Sequence, residues 1–250
     1  MDVELIQFLY SPYNEKARWA LDLKGVARAE RSLLPGPHLP VVKRLTGQTA
    51  TPVVRFGDRY VHGSARILAE LDEMFPDPPL YPADPDLRRE ALEIEARFDD
   101  DLGPRIRRAV LDGVIGEPRY VARMFGADQP AWSQALYAAV FPLVRIPLKK
   151  GNGITGPASV EDGYAAARIG LDFVAERAGA GGYLVGGAFS VADLAAASIL
   201  ATLCSPPDSS MDRPRPLAAR LARLIDTFRD HPGTAWVLDM YRRHRYPGGA

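Results

Sequence analysis

Short apolar runs separated by turn residues dominate the beginning of the chain. The nearly unbroken apolar run Val3–Tyr10 is typical of a buried central strand. Pro12 stands where a helix can begin and Gly25 where one can end, which predicts a helix over residues 12–24. Residues 28–34 are predicted as a second strand.

A β-hairpin is predicted next, over residues 51–62. Gly57-Asp58 lies at its centre, and glycine in the first central position indicates a two-residue type II′ turn. Apolar residues at helical spacing follow Ser64 and predict a helix that this serine caps. With residues 35–50 treated as a loop, the order is β-α-β, loop, β-β-α.

The pattern of apolar residues changes after a proline-rich segment near residue 80. Four prolines in the seven residues 76–82 cannot continue a helix or a central strand. Beyond them apolar residues recur every three or four positions, with a kink expected at Pro104. We therefore predict an α/β domain at 1–77, a proline-rich linker at 78–86 and an all-helical domain at 87–250. Further helices are predicted at Trp132–Val144, Val160–Ala178, Val191–Leu203, Leu217–Phe228 and Ala235–Arg243.

Charge balance, cysteine count and apolar runs exclude several classes of partner and site. The 31 Lys and Arg residues balance 31 Asp and Glu residues, which argues against nucleic acid or an anionic membrane as a partner. The single cysteine, Cys204, excludes an internal disulfide, a Cys-Cys zinc site and a two-thiol redox pair. Because no secretory signal or apolar membrane span is visible, we expect a cytoplasmic protein.

Three joints between predicted elements carry the candidate chemistry. Ser11 opens the first helix, whose N-terminal N–H groups and partial positive charge stabilise an anion such as a thiolate. Taken alone, Ser11 is more simply explained as a plain N-cap. Thr51-Pro52 opens the hairpin, and Gly63-Ser64 opens the next helix, where N–H groups are left for a carboxylate ligand.

The order of these elements is that of a thioredoxin-like domain, and the sequence resembles the cytosolic glutathione S-transferase superfamily, in its serine-using, bacterial type. The resemblance covers both domains and is strongest up to residue 82. The segments that carry it are Ser11-Pro12-Tyr13-Asn14-Glu15-Lys16-Ala17-Arg18, Thr51-Pro52-Val53, Gly63-Ser64-Ala65-Arg66-Ile67 and Phe189-Ser190-Val191-Ala192-Asp193-Leu194.

This resemblance implies a glutathione site in the first domain. Ser11 is expected to donate a hydrogen bond to the glutathione thiolate. Pro52 is expected to follow a cis peptide bond after Thr51. Val53 is expected to offer its backbone N–H and C=O to the cysteinyl part, like an added strand. Ser64 matches the serine that holds the γ-glutamyl carboxylate.

Two departures from the family pattern bear on the identity of the thiol. The family usually has Glu or Asp before its serine, where this chain has Gly63. Loss of one charge-assisted hydrogen bond costs about 1.5–3 kcal/mol, or roughly ten- to a hundredfold in affinity. The segment with His38, Gln48 and Thr49, where the family binds the glycyl end, differs in length. A different low-molecular-weight thiol is therefore an alternative to glutathione.

Tyr10, Tyr13 and Asn14 are candidates for the electrophile pocket because they flank the expected position of the sulfur. The two tyrosines are alternative hydroxyl donors, although packing explains them more simply. Ser11 and Asn14 occupy the positions of the two cysteines in the Cys-Pro-Tyr-Cys motif of glutaredoxins. Thiol–disulfide exchange is thereby lost, whereas the anion site is kept.

On the side of the second domain, arginines after Pro104 are candidates for the same pocket. Arg105, Arg107 and Arg108 are expected to face the cleft and to meet an acidic co-substrate, with ordinary surface arginines as the alternative. Residues 151–156 fit G-x-G-x-x-G but follow no strand, so we predict a loop near the cleft rather than a dinucleotide site.

Two further motifs are assigned to structure. Asp99-Asp100-Asp101 cannot converge on one metal ion, because successive helical residues diverge by about 100°. No metal is expected. Ser190 and Asp193 have the spacing of a capping box at a helix start, so Asp193 is assigned to folding.

The resulting prediction is a glutathione S-transferase-like enzyme in which a bound thiolate attacks a small electrophile. Glutathione is the co-substrate, and no metal takes part. Isomerisation of the maleylacetoacetate type is a narrower version, and a homodimer is expected from the resemblance. The alternative is a non-catalytic protein of this fold that carries a small acid or a protein partner in the cleft.

Overall fold

The computed structural model describes residues 2–178 and 181–245. Within them a four-stranded sheet with helices precedes a series of helices, which confirms the predicted α/β plus all-α fold class. The strands are β1 (Val3–Gln7), β2 (Ala29–Ser32), β3 (Val53–Phe56) and β4 (Arg59–His62). The helices are α1 (Pro12–Leu23), α2 (His38–Thr46), α3 (Ser64–Met74), α4 (Pro85–Ala96), α5 (Gly103–Ile115), α6 (Pro118–Phe125), α7 (Ala131–Gly151), α8 (Pro157–Arg177), α9 (Val191–Leu200), α10 (Ala219–Phe228) and α11 (Pro232–Met240).

The sheet has the order β2-β1-β3-β4, with β1 parallel to β2 and antiparallel to β3. As its apolar run predicts, β1 is buried on both faces. Leu5 joins the main core, whereas Ile6 packs with Val42 of α2 on the other face. The strand ends at Gln7 instead of Tyr10, and β2 is a largely exposed edge strand of four residues.

Helix α2 lies where the sequence predicts a loop. Pro37 and Pro40 look like helix breakers, but they occupy the N-cap and the first turn, where a missing N–H is tolerated. Gly47 ends the helix in the left-handed conformation and donates its N–H to the carbonyl of Lys43. The helix was missed because prolines, rather than a serine or aspartate cap, mark its start.

Glycines occupy two turns that need a positive φ. Gly57 has φ +58° in the β3–β4 turn, as the predicted type II′ geometry requires. Gly63 has φ +86° and is the N-cap of α3. The prediction that Ser64 caps this helix is therefore wrong, because Ser64 is the first helical residue. A side chain at φ +86° is strained, so glycine suits the position.

A π-helical segment, residues 97–102, separates α4 from α5. It lies directly before Pro104, where the sequence predicts a kink. Proline has no N–H to donate to the carbonyl four residues earlier, so the α-helical ladder is interrupted there. Gly103 instead donates its N–H to the carbonyl of Phe98, five residues back.

The other predicted helices of the second half are present with different ends. The largest difference is α7, which passes through Pro142 and Pro147 and ends at Gly151 instead of Val144. The short helix α6 was not predicted. The capping box of α9 is confirmed, since the Asp193 carboxylate accepts the N–H of Ser190 at 2.9 Å.

The proline-rich segment after α3 is held by Lys24 of the first half. Its ammonium group pairs with Asp72 at 2.6 Å and donates to the carbonyls of Phe75 and Pro78, also at 2.6 Å. The domain limits 1–77, 78–86 and 87–250 stay predictions, and residues 1, 179–180 and 246–250 of these ranges lie outside the described residues.

Helix α1 carries charged side chains into the interior. Glu15 accepts hydrogen bonds from Arg18 at 2.9 Å, Arg245 at 2.7 Å, Tyr241 at 3.3 Å and the Ser210 hydroxyl. Burial would raise the pKa of Glu15, but Arg18, Arg245 and the hydrogen bonds outweigh it and lower the pKa to about 2. This carboxylate therefore joins α1 to the C-terminal part of the chain.

We predict that Glu15→Gln lowers the free energy of unfolding by about 3–5 kcal/mol at neutral pH, because buried cations lose their counter-charge. The contribution of Glu15 is present above its ordinary pKa of 4.5 and is lost as the pH falls towards 2. Chemical denaturation followed by circular dichroism measures both effects. The exposed Glu161→Gln is the control, expected to change stability by less than about 0.5 kcal/mol. Equal stability of the two variants would contradict the role of Glu15.

Candidate active site

A cleft of about 410 Å³ lies between the sheet-containing half and the helical half. One wall comes from the β1–α1 loop, the start of α1 and the segments before α2 and β3. The other comes from α5, α6, the C-terminal part of α7 and the region of Thr202 and Arg213. The lining is mostly apolar and, among the described residues, contains no carboxylate. Its polar side chains are Tyr10, Ser11, Tyr13, His38, Thr49, Thr51, Arg107, Asn152, Thr202 and Arg213.

Ser11 is the N-cap of α1 and lines this cleft. Its backbone is extended, with φ −85° and ψ 127°, yet its hydroxyl makes no capping hydrogen bond. Asp84 differs, because its carboxylate caps α4 by accepting two backbone N–H groups. The Ser11 hydroxyl and the N-terminus of α1 are therefore both placed to stabilise an anion in the cleft.

Tyr10, directly before Ser11, has φ +59°. A left-handed conformation costs a non-glycine residue about 1–2 kcal/mol, and strain of this kind is found at functional sites. Burial raises the pKa of Tyr10, although the guanidinium of Arg213 opposes that shift. The turn at Tyr10 brings the chain from β1 into the cleft wall.

Tyr13 is already committed to another partner. Its hydroxyl donates to the carbonyl oxygen of Asp99 at 2.8 Å, and burial raises its pKa. Gly103 permits this approach, since a Cβ there would lie 2.5 Å from the Tyr13 hydroxyl oxygen. Tyr13 forms part of the wall, and its one hydroxyl proton is not available to a thiolate.

The Thr51–Pro52 peptide bond is cis, as the resemblance implies. The Asn14 amide donates to the hydroxyl of Thr51 at 3.1 Å, and the Gly63 N–H donates to the carbonyl of Pro52 at 3.2 Å. Asn14 is fully buried and does not line the cleft, so its prediction as a pocket residue is wrong. It instead ties α1 to the turn before β3.

Val53 does not have the position that the resemblance implies. It lies in the sheet between Ile6 of β1 and His62 of β4. Backbone groups of a strand with neighbours on both sides are directed at those neighbours, so Val53 cannot offer them to a ligand. Thr51 lies outside the strand and lines the cleft, and is better placed for that role.

Ser64 and His38 differ in their relation to the cleft. Ser64 is buried at the start of α3 and is not part of the lining, so its role at a γ-glutamyl carboxylate stays a prediction. His38 lines the cleft and accepts the N–H of Gly36 on Nδ1 at 3.0 Å. Burial lowers the pKa of His38, although hydrogen bonds with the backbone of Thr49 and Leu34 oppose that shift.

Two of the arginines predicted at the cleft do not reach it. Arg105 and Arg108 pair with Asp162 of α8 at 2.7 and 3.1 Å. Arg107 lies between them in sequence but on another side of the helix, because successive residues diverge by about 100°. It lines the cleft, with its guanidinium carbon 5.8 Å from the centre of the Tyr13 ring.

Arg213 also lines the cleft and was missed from the sequence. It lies between α9 and α10 and is only 2% exposed. Its Nη1 donates to the carbonyl of Thr202 at 3.1 Å and to the hydroxyl of Ser205 at 2.9 Å. The segment around it alternates charged residues with proline, and such a pattern does not indicate burial.

In residues 2–178 and 181–245, no group of three or more His, Cys, Asp or Glu side chains is placed to hold a metal ion. Asp99 pairs with Lys16 at 2.5 Å instead. In the same ranges no helix is both long and apolar enough to cross a membrane.

Sequence comparisons identify relatives of the chain. A family model described as the N-terminal domain of glutathione S-transferase matches residues 5–79. A maleylpyruvate isomerase from Ralstonia sp is 30% identical over 160 residues, which cover 60% of this chain and 72% of that relative. A probable glutathione S-transferase from Nicotiana tabacum is 33% identical over 107 residues, or 40% of this chain and 45% of that relative.

Solved structures agree in fold. A beta-etherase from Sphingobium sp. strain SYK-6 superimposes with a TM-score of 0.63 at 17% identity, covering 96% of this chain and 99% of that one. A glutathione S-transferase from Methylobacterium radiotolerans, in complex with glutathione sulfonate, has a TM-score of 0.52 at 25% identity, covering 95% of each chain.

Together the fold and the cleft define a thioredoxin-like domain joined to a helical domain, with a cleft where they meet. The chain belongs to the glutathione S-transferase superfamily, a family of glutathione-dependent enzymes. Its function is accordingly glutathione transferase-like.

We predict that Cys204 of the folded protein reacts with iodoacetamide at pH 8 at least about a hundredfold more slowly than free glutathione. Burial raises the pKa of this thiol to about 12, and only the thiolate is nucleophilic. Mass spectrometry of the native protein over time measures the reaction. The same protein in denaturant is the control and should react at the rate of a free cysteine. Rapid labelling of the native protein would show that Cys204 is accessible and ionised.

Proposed function

We propose that this protein binds glutathione, or a closely related thiol, in the cleft and adds its thiolate to a small electrophile. The observation that carries the proposal is the Ser11 hydroxyl, which is free of a capping bond at a helix N-terminus that opens on an apolar cleft. The sulfur forms a bond to the electrophilic carbon. The displaced electron pair leaves with a leaving group or moves into a conjugated carbonyl, which then takes up a proton.

The residues around Ser11 suit a peptide thiol. Thr51, outside the strand, offers backbone groups to the cysteinyl part, and Ser64 begins a helix that favours a carboxylate. His38 lines the cleft wall next to Thr49 and hydrogen-bonds its backbone. Gly63 gives no carboxylate for the ligand's ammonium group, so we expect binding of glutathione to be weaker than in relatives with an acidic residue there.

Stabilisation of the thiolate is the main task of this site. A free thiol has a pKa of about 8.5, so lowering it by roughly two units makes the thiolate the majority form at pH 7, at about 2.7 kcal/mol. A hydroxyl donor and a helix N-terminus together supply an effect of this size. Holding the thiol and the electrophile in one cleft provides further acceleration.

Isomerisation is the second candidate function, favoured by the relative named maleylpyruvate isomerase. In that reaction class the thiolate adds to a conjugated double bond, the resulting single bond rotates, and the thiolate is eliminated again. The thiol is regenerated, so a net isomerisation without consumption of glutathione distinguishes it from transfer.

Substitution of Ser11 tests the proposed function. We expect Ser11→Ala to raise the pKa of bound glutathione by about one to two units, because a hydrogen bond to a charged group is lost. Calorimetry measures binding, and ultraviolet thiolate absorbance against pH measures the pKa. Ser133→Ala, at a position away from the cleft, is the matched control and should behave as the wild type.

Two results would overturn this proposal. Glutathione that gives neither heat nor thiolate signal with the wild type would point to another thiol or to a non-catalytic cleft. Ligand binding that is indifferent to Ser11→Ala, with an unshifted thiol pKa, would favour the alternative of a binding protein for a small acid or a protein partner.

The homodimer expected from the resemblance is also a proposal. One face of α7 exposes five large apolar side chains within about 120° of arc. None of them is charged, so a second copy of the chain can cover this face without like-charge repulsion. They are Trp132, Leu136, Val140, Leu143 and Ile146.

We predict a dimer for the wild type and a monomer for the double variant Leu136→Glu and Leu143→Glu, because two buried carboxylates would face their symmetry copies. Light scattering after size-exclusion chromatography measures the mass. Leu238→Glu, at another exposed apolar position, should stay dimeric. A double variant that remains a dimer would place the interface on a different surface.

A further inference from the structure

The two arginines of the cleft, Arg107 and Arg213, differ from the other cations of the interior because they lack a carboxylate partner in the described part of the chain. Lys16, Arg18 and Lys24 are all buried, and each has a carboxylate within 2.9 Å. In contrast, neither Arg107 nor Arg213 has a carboxylate within 4.0 Å among the described residues. Two cations therefore face the cleft without a protein counter-charge.

Arg213 is the more constrained of the two. It is 2% exposed, and its Nη1 is fixed by two neutral oxygens, from Thr202 and Ser205. Its Nε is buried without a hydrogen-bond partner. The neighbouring Asp212 pairs with Arg215 at 3.6 Å instead. A buried guanidinium without a carboxylate is costly unless an anion supplies the missing charge.

Arg107 contributes from α5, a different element of the same cleft wall. It projects from α5, stacks over the ring of Tyr13 and also has a buried Nε without a partner. The same wall also carries apolar side chains, among them Ile106, Val110 and Ile199. The wall thus combines an apolar surface with donors for oxygen anions.

We propose that the electrophile of this enzyme is an acid: an apolar body bearing a carboxylate that Arg213 and Arg107 bind. The inference rests on the proposed thiol addition and specifies its second substrate. Both arginines belong to the helical wall, whereas the groups expected to hold the thiol, Ser11 and Thr51, belong to the opposite wall. Planar guanidinium forks match carboxylate geometry, which fits them for this ligand.

A matched pair of electrophiles tests this inference. 3-Benzoylacrylate and its methyl ester contain the same conjugated double bond, and addition of glutathione to either one removes its ultraviolet absorbance. We expect the wild type to prefer the acid at least about tenfold in kcat/KM, after each rate is divided by the uncatalysed rate. Arg213→Gln and Arg107→Gln should each reduce this preference about ten- to a hundredfold through KM of the acid.

Controls separate recognition of the acid from the rest of the reaction. Arg108→Gln changes the same charge on α5 but lies outside the cleft, so it should keep the preference. The rate with the ester, KM for glutathione and the pKa of the bound thiol should stay unchanged in the arginine variants. If Arg213→Gln does not fold, Arg213→Lys keeps the charge without the planar fork and Arg107→Gln tests the less buried partner.

The outcomes are distinct. Equal losses for acid and ester, or a raised KM for glutathione, would overturn the inference because the arginines would then serve the thiol or the fold. A wild type that reacts with both but prefers neither would overturn it and leave the proposed function standing. If neither compound reacts, glutathione binding and the Ser11→Ala variant decide the proposed function. Calorimetry with 3-benzoylpropanoate, which lacks the reactive double bond, then tests the acid site. Binding that depends on the two arginines would support the site, and absence of binding would refute it.

Discussion

The pairing of buried charges on α1 is the constraint on which the rest of the structure depends. Glu15 and Lys16 are fully buried, and charges in the interior are costly unless opposite charges compensate them. Lys16 is paired with Glu95 of α4 and Asp99 of the π-helical segment, while Glu15 is paired with Arg245 near the end of the described chain. The helical half is therefore fixed against α1 from two directions, and the N-terminus of α1 is held at the border between the halves.

This arrangement gives the cleft its electrostatic character. The carboxylates near the border between the two halves pair with cations of the interior. The described lining of the cleft therefore contains no carboxylate. What remains there is positive: the N-terminus of α1, Arg107 and Arg213. In a mostly apolar cleft such groups act more strongly than in solution, so the cleft favours anionic ligands.

Local patterns predicted most of the fold, and long-range packing decided what they missed. The buried run of β1, the turn at Gly57 and the capping box of α9 are local features, and each was recognised from its sequence. The directions of Arg105 and Arg108 were not, because a π-helical turn holds more residues than an α-helical one and changes the face that later residues present. Arg213 lies in a proline-rich segment without periodicity, and only the tertiary fold carries it into the cleft.

Asn14 has a structural role at a position where glutaredoxins have a cysteine. Asn14 occupies the position of the second cysteine in the glutaredoxin motif, and it also lies next to the turn that contains the cis-proline. In this chain its amide holds the hydroxyl of Thr51 at 3.1 Å and so fixes the segment that opens β3. An amide at this position cannot form a disulfide, and here it positions the turn instead. With Ser11 and Asn14 at the two cysteine positions of that motif, the start of α1 carries no protein thiol for disulfide exchange.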